Sequence, residues 1–472
     1  MTHAQTVSAG AQAPMQELRT HLRGTVVQSE DPDYDRARHV WNGMIDRYPA
    51  LIARCTGVAD VIDAVRYARA QNMQVAVRGG GHGVAGYATC DGGLVIDLSP
   101  MKGILVDPQA HTAWVQGGVT WGDLDRETQA FGLATPGGVV STTGVAGLTL
   151  GGGFGHLRRH YGLSCDNLIA ADVVTADGRF VQANETENSD LLWALRGGGG
   201  NFGIVTDFQF RLHPVGPTVM LVSVMYPMEA AHEVLSGWRD QMLAAPDALT
   251  SNAYFWTVPA VPMLPPQVHN RRVVIVAGVW SGAIEEGERF VAPLRQLATP
   301  LLDLSGPTPY TVVQQLFDPF FPAYELYHYW KSLNLKSLDA ETIEAIARWA
   351  VDRPSGRTIV DLWAMGGAVG RVAPEATAFG DRSAPFVLVF NTTWTDPADS
   401  ARNVAWTRDF YRAMEPYSPG ATYLNFPGFE EDEHLSRTVR ASYGVNWEKL
   451  VAVKRKYDPT NFFRRNQNIP PN

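Results

Sequence analysis

One histidine of this chain stands inside a run of glycines, Arg78-Gly79-Gly80-Gly81-His82-Gly83, directly after a strand-like stretch, Gln74 to Val77. Consecutive glycines expose backbone N–H groups that can line an anion such as a pyrophosphate. They also let the imidazole reach a ligand closely, and a neutral imidazole nitrogen is a nucleophile near neutral pH. The same segment satisfies GxGxxG, from Gly81 through Gly83 to Gly86. A dinucleotide-binding βαβ unit needs that motif to open a helix. Here it runs into Tyr87-Ala88-Thr89-Cys90-Asp91-Gly92-Gly93, turn chemistry that leads to another strand. Two more glycine-dense stretches follow: Thr135-Pro136-Gly137-Gly138 with Gly144, Gly147 and Gly151-Gly152-Gly153-Phe154-Gly155, then Arg196-Gly197-Gly198-Gly199-Gly200-Asn201-Phe202-Gly203. Each glycine in regular structure costs about 0.5–1 kcal/mol relative to alanine. A long flat cofactor lying against backbone offsets that cost; three plain flexible loops do not.

The second half carries side chains in place of glycines. In Val360-Asp361-Leu362-Trp363 a carboxylate interrupts an apolar strand. A buried charge there needs a partner, and a salt bridge to Arg357 or Arg371 is one reading of Asp361. Alternation puts Ile359, Asp361 and Trp363 on one face of their strand, and Asn252, Tyr254 and Trp256 on one face of another. No GxxxxGK[ST] is present, and His232-Glu233 lacks the second histidine of HExxH, so neither a P-loop nor a zinc-protease site is expected and no metal is assigned.

These groups need two kinds of scaffold. From Leu51 a strand, a helix with Val58, Val61, Ile62, Val65 and Ala68 at helical spacing, and the strand 74–77 form a βαβ unit. Further strands are expected at 94–98, 113–116, 171–175 and 204–212, with a helix at 121–131. After His213-Pro214 the glycine density falls and the pattern alternates. Strands at 220–225, 251–257, 273–280, 358–364 and 386–390, with helices at about 229–245, 284–298, 339–351 and 400–415, predict an antiparallel sheet with helices on one face. A helix from Trp447 precedes Asp458-Pro459 and a Pro-rich tail. The pattern therefore suggests an α+β fold whose texture changes after His213-Pro214. A net charge of -9 argues against a nucleic-acid surface. The absence of a long apolar run argues against a membrane span. Met1 to Thr20 has no apolar signal core, which favours the cytoplasm. Cys55, Cys90 and Cys165 form no CxxC, and their odd number does not suggest a disulfide framework.

Several of these motifs together resemble a family. Arg78-Gly79-Gly80-Gly81-His82-Gly83, Ala134-Thr135-Pro136-Gly137, Gly151-Gly152-Gly153-Phe154-Gly155, Tyr161-Gly162-Leu163 with Asp166-Asn167, and Leu192-Trp193-Ala194-Leu195-Arg196-Gly197-Gly198-Gly199 are similar to the berberine bridge enzyme family. So are Tyr443-Gly444-Val445-Asn446-Trp447, Tyr457-Asp458-Pro459 and Asn466-Gln467-Asn468-Ile469-Pro470 at the other end. That family belongs to the vanillyl-alcohol-oxidase type of FAD-linked oxidases, so the resemblance implies two domains: a PCMH-type FAD-binding domain over residues 1–212 and 420–472, roofed by a substrate domain over residues 213–419. Bacterial flavin oxygenases and oxidases of secondary metabolism are the nearest in texture, with 6-hydroxynicotine oxidases more distant.

The resemblance implies that His82 carries FAD on its 8α-methyl group; a phosphate-binding loop histidine is the alternative. It assigns further FAD contacts to Arg78, Gly79, Gly80, Gly81, Gly83 and Gly86. Pro136, Gly137, Val140, Thr143, Gly144, Gly147, Gly153 and Phe154 add a second group. Gly203, Ile204, Val205, Asn466 and Asn468 complete the set. Val140 stands where many relatives carry a second, cysteinyl link, so a single attachment is implied, and Cys165 reads as a buried small hydrophobe. Thr143 falls beside the reactive edge of the flavin, or is simply satisfied by its own loop. The strand before Gly366-Gly367-Ala368-Val369 supplies a carboxylate in bacterial relatives, which makes Asp361 the first candidate for general base, its pKa raised by burial. Tyr254 is the second, with plain sheet packing as its alternative. Tyr329-Trp330-Lys331-Ser332 falls near the substrate, Lys331 being a rim cation or part of an ion pair. The implied reaction oxidises a small organic substrate, aromatic or polyketide-like, with molecular oxygen as acceptor. An oxygenase, or a dehydrogenase using another acceptor, is the alternative.

Overall fold

The computed structural model describes residues 9–429 and 435–472. The start of the polar lead-in, residues 1–8, lies outside the described residues. The fold is α+β. In the first half, Leu51–Arg54, Leu94–Asp97 and Val75–Arg78 form a parallel set, with Thr25–Val27 antiparallel at its edge. The helix Val58–Ala70 crosses between two of these strands and buries Val61, Ala64, Val65 and Ala68, the apolar stripe its spacing predicts. A second sheet, antiparallel, runs Ile104–Asp107, Thr112–Gln116, Ile204–Arg211, Leu168–Val174, Phe180–Ala183. No helix follows the glycines at 79–83, as the turn residues after them require.

The second half is one antiparallel sheet of eight strands. Its order is Leu302–Asp303, Thr218–Pro227, Arg272–Trp280, Leu249–Thr257, Ile359–Ala364, Phe386–Trp394, Tyr327–Leu335, with Gly306–Pro309 also pairing Thr218–Pro227. One face carries Val222, Val224, Ala253, Phe255, Val274, Val276, Val360, Leu362, Leu388 and Phe390. It packs on the helices Ala231–Ala244, Ala340–Val351 and Ser400–Met414 through Trp238, Ile346 and Phe410. The other face carries Met225, Tyr254, Trp256, Val273, Ile275, Trp330 and Ile359 and looks toward the glycine loops. The strand Tyr327–Leu335 is not evident in the sequence, because His328, Lys331, Ser332 and Asn334 blur its alternation. The helix expected at 284–298 stops at Val291 and continues as a 3-10 turn over Ala292–Arg295, since Pro293 cannot donate to an α-helical ladder.

The C-terminal helix Trp447–Tyr457 returns to the first half. Lys454 is wholly buried, and its ammonium donates to the Asn201 carbonyl at 2.8 Å, the Asp458 carboxylate at 2.7 Å and the Phe463 carbonyl at 2.9 Å. The Asp458 carboxylate also accepts the Phe462 and Phe463 N–H groups. This pair fastens the tail to the third glycine stretch. Among the described residues no helix is long and apolar enough to cross a membrane. Lys454→Met is expected to cost about 3–5 kcal/mol, the usual penalty for stranding a buried carboxylate, read as a lowered midpoint in urea unfolding of the whole chain.

Candidate active site

Between the glycine loops and the bare face of the large sheet lies a cavity of about 310 Å³. Its floor comes from Gly79, Gly80, Gly81, His82 and Gly83, from Val140, Thr143, Gly144, Gly147 and Phe154, and from Gly203, Ile204, Val205 and Asn466. Its roof comes from Tyr254, Asp361, Trp363, Asn391 and Trp330. Of the residues implied to contact a cofactor, Arg78, Gly86, Pro136, Gly137, Gly153 and Asn468 stand behind this wall, outside the cavity lining.

The displaced residues have structural reasons. Arg78 is the register partner of Asp97, and its guanidinium forms a buried ion pair there, at 3.1 Å and 2.7 Å to the two oxygens. Its remaining N–H groups hold the Ala37 and His39 carbonyls. Pro136 gives its carbonyl to the Ser164 hydroxyl, and the Gly153 N–H goes to the Tyr423 hydroxyl. A Cβ on Gly137 would fall 2.3 Å from the Trp121 ring, and one on Gly86 2.8 Å from Ile45.

The glycines that do line the cavity are of two kinds. Gly80 and Gly144 press backbone to backbone, so a Cβ on either would sit 2.5 Å from the other's nitrogen. This contact brings the first two glycine stretches together. At Gly83, Gly147 and Gly200 an added Cβ would meet nothing within 4 Å. These three keep open a trough along the floor, which suits a long planar ligand lying on backbone. Buried polar atoms of the wall lack partners: His82 Nε2, Asn466 Oδ1 and Asp361 Oδ1. A flavin nucleotide, with polar groups along its length, fits this donor and acceptor set.

His82 is half-buried with its Nε2 shut off from solvent, and burial lowers its pKa to about 3. The imidazole is thus neutral throughout the physiological range. Trp41 stacks on it at 4.0 Å and also on His328 at 4.0 Å. The Trp41 N–H donates to the Gly81 carbonyl, and Arg78 holds the carbonyls just before Trp41. Arg78 therefore acts on the His82 surroundings through Trp41. Neither Trp41 nor His328 stands out in the sequence.

On the roof, Tyr254 pairs Asp361 and Asn252 pairs Trp363 across adjacent strands, so all four share one face. The Trp363 indole N–H donates to one Asp361 oxygen, while the other has no partner. Burial drives the Asp361 carboxyl well above its ordinary value, against the opposing effects of Trp363, Arg158 and Asn391. Burial also raises the Tyr254 phenol, and the nearby Asp361 adds to this. Arg371 pairs with Asp247 instead of Asp361, and Arg357 is exposed; the cation beside Asp361 is Arg158. Lys331 is on the helix-covered face, its ammonium 4.5 Å from the Tyr411 ring centre, and does not rim the cavity. Cys165 is buried and unoxidised outside the lining, its thiol pKa pushed well up by burial. Among the described residues no cluster of His, Cys, Asp and Glu could hold a metal ion. Tyr423 and Asn425 also line the cavity; Tyr423 stacks on Phe154 at 3.8 Å and accepts the Gly153 and Phe154 N–H groups.

The chain is similar to known proteins over nearly its whole length. The FAD binding domain pattern matches residues 49–184, and the pattern described as berberine and berberine-like matches residues 422–470. An uncharacterised FAD-linked oxidoreductase of Bacillus subtilis is 33% identical, covering 96% of this chain and 98% of its own. (R)-6-hydroxynicotine oxidase of Paenarthrobacter nicotinovorans is 32% identical over 95% of this chain and 97% of its own. The crystal structure of 6-hydroxy-D-nicotine oxidase from Arthrobacter nicotinovorans superposes with a TM-score of 0.82 at 28% identity, covering 96% of this chain and 98% of that one.

The two kinds of glycine give a paired test. Gly80→Ala drives a methyl into backbone and is expected to cost about 1–3 kcal/mol. Gly83→Ala is expected to change stability by less than about 0.5 kcal/mol while lowering the flavin content of the purified protein. Denaturant titration of the flavin-free chains, beside the visible absorbance of the loaded ones, checks both.

Proposed function

The chain belongs to the berberine bridge enzyme-like family of FAD-linked oxidoreductases, and we propose that it oxidises a small aromatic or polyketide-like substrate on a flavin held covalently by His82 alone. When bound, FAD would supply the two-electron acceptor, with molecular oxygen as the final acceptor. The observation that carries the reading is Asp361, a desolvated carboxyl with one unpartnered oxygen, facing a glycine-floored trough beside a phenol. In this reading Asp361, in its ionised form, takes a proton from a substrate hydroxyl, amine or activated C–H. Tyr254 hydrogen-bonds the same group or takes the proton itself. Thr143 borders the reacting edge. Trp330, Phe317, Phe321 and Phe426 enclose the substrate and exclude water, which favours a flat apolar ligand over a sugar. The flavin unit comprises residues 1–212 and 420–472, and the substrate unit residues 213–419. Three buried, unpaired cysteines suit a reducing compartment such as the cytoplasm.

His82 suits a covalent bond because its imidazole is neutral and its buried Nε2 has no partner. Val140 offers no second nucleophile. After denaturation in acid the yellow colour should stay with the polypeptide, and the intact mass should exceed the chain by one FAD. His82→Ala should release the flavin, and peptide mapping should find it on the His82 peptide alone. Complete loss of colour from the denatured wild-type chain, or a flavinylated Cys90 or Cys165 peptide, counts against this.

A screen of aromatic alcohols and amines, read by flavin bleaching and peroxide release, identifies the substrate and the acceptor together. With a substrate in hand, Asp361→Asn should slow flavin reduction by about 10²–10⁴-fold, the range for a lost general base, with flavin loading retained. A base works only when deprotonated, so the wild-type rate should rise with pH through the raised Asp361 pKa. That limb should vanish in Asp361→Asn. If Asp361→Asn is silent and Tyr254→Phe is slow, the phenol is the base. If both are slow and far from additive, the two act as one unit.

A further inference from the structure

Arg158 follows the cavity-lining Phe154 by four residues and reaches across into the large sheet, wholly buried. Its Nε donates to the Ala364 carbonyl at 2.9 Å and its Nη1 to the Gly155 carbonyl at 3.1 Å. Its Nη2 meets the Ser251 carbonyl at 3.1 Å, the Ala364 carbonyl at 2.7 Å and Asn252 Oδ1 at 2.6 Å. We infer that Arg158 is a positioning residue that fixes which way the hydrogen bonds of the Tyr254–Asp361 pair run.

The chain of reasoning is one of donors and acceptors. A guanidinium only donates, so the Asn252 amide must turn its oxygen toward Arg158. Its nitrogen then faces the Tyr254 hydroxyl, at 3.0 Å, and donates to it. With that lone pair engaged, the phenolic proton points elsewhere. Directly across the strand pair is Asp361, with one oxygen unpartnered. Arg158 also lies 4.8 Å from the centre of the Trp363 ring, whose N–H donates to the other Asp361 oxygen. One cation thus seats both donors of the pair, Asn252 for the phenol and Trp363 for the carboxyl. Burial lowers the Arg158 pKa to about 9, so the cation persists at neutral pH. The charged or titratable groups facing this network are Tyr254, Asp361, Arg159 and the buried His156, whose imidazole burial and Arg158 both hold neutral. Arg159 is itself taken up by the Leu249, Met365 and Ala245 carbonyls. Arg158 is not itself part of the cavity lining and reaches it only through the Trp363 ring. Its part in catalysis rests on the reading of Asp361 and Tyr254 as the proton-handling pair.

The test needs no substrate. In the FAD-loaded protein, the infrared stretch of the protonated carboxyl that disappears in Asp361→Asn is followed against pH. Removing a nearby cation and its oriented donors favours the protonated form, so Arg158→Met should move the midpoint upward by about one unit or more, a tenfold change in the ionisation equilibrium. Arg158→Lys keeps the charge without the fork and should move it less. Asn252→Leu leaves Arg158 bound to carbonyls and should also move it upward. It should do nothing further in a Tyr254→Phe background, because Asn252 acts through the phenol. Unchanged midpoints in Arg158→Lys, Arg158→Met and Asn252→Leu, an additive Asn252→Leu effect, or no Asp361 band at any pH would overturn the inference. Shifted midpoints with a silent Asp361→Asn in flavin reduction would leave the inference standing and defeat the base assignment instead.

Discussion

A buried carboxyl group is the constraint on which the roof of this cavity is organised. Asp361 sits mid-strand in the large sheet, between strands on both sides. Its charge can be tolerated only by what the neighbouring strands and the short helix that starts at Arg158 bring to it. The indole of Trp363 gives a hydrogen bond, Asn391 faces it from the next strand, and Arg158 brings charge from the glycine-rich half. Together these oppose desolvation without cancelling it. A full salt bridge would have held the group ionised but unreactive, and a wholly apolar setting would have held it protonated. The chain adopts neither extreme.

The floor answers to a different constraint. Backbone must come within contact distance of a flat ligand over a long path, and a side chain at the wrong place would fill it. Gly80 and Gly144 set the distance between two loops, while Gly83, Gly147 and Gly200 keep the path clear. Trp41, bonded through its backbone N–H to the Gly81 carbonyl and preceded by carbonyls that Arg78 holds, stacks on His82. The tail is tied in by Lys454 and Asp458, which explains why Tyr457-Asp458-Pro459 belongs with the glycine motifs though it lies far from them in sequence.

Much of this was legible in the chain. Alternation put Tyr254 with Asn252 and Asp361 with Trp363 on shared faces, and the strand register makes those faces one. Turn residues after Gly86 ruled out a helix there. The partner of Asp361 was not legible. Arg357 and Arg371 are near it in sequence, yet one is exposed and the other pairs with Asp247. Arg158 comes from more than two hundred residues away, and only the packing of one half on the other brings it close. Local pattern carries no information about such a meeting. For the same reason Arg78 reads as a ligand contact from its place in the motif, while its register opposite Asp97 commits it to an ion pair. Trp41 and the strand Tyr327–Leu335 are not legible in the sequence, because a lone aromatic and a mixed polar strand give no periodic signal.

The large sheet keeps its two faces apart. Aliphatic and aromatic side chains under three helices hold it together, while the residues that would meet a ligand point the other way. Replacing one of the latter leaves the helix-side packing untouched. Such a sheet is a chassis: its bare face can be rewritten, position by alternate position, to admit new ligands while the stability of the chain is inherited unchanged from the reverse side.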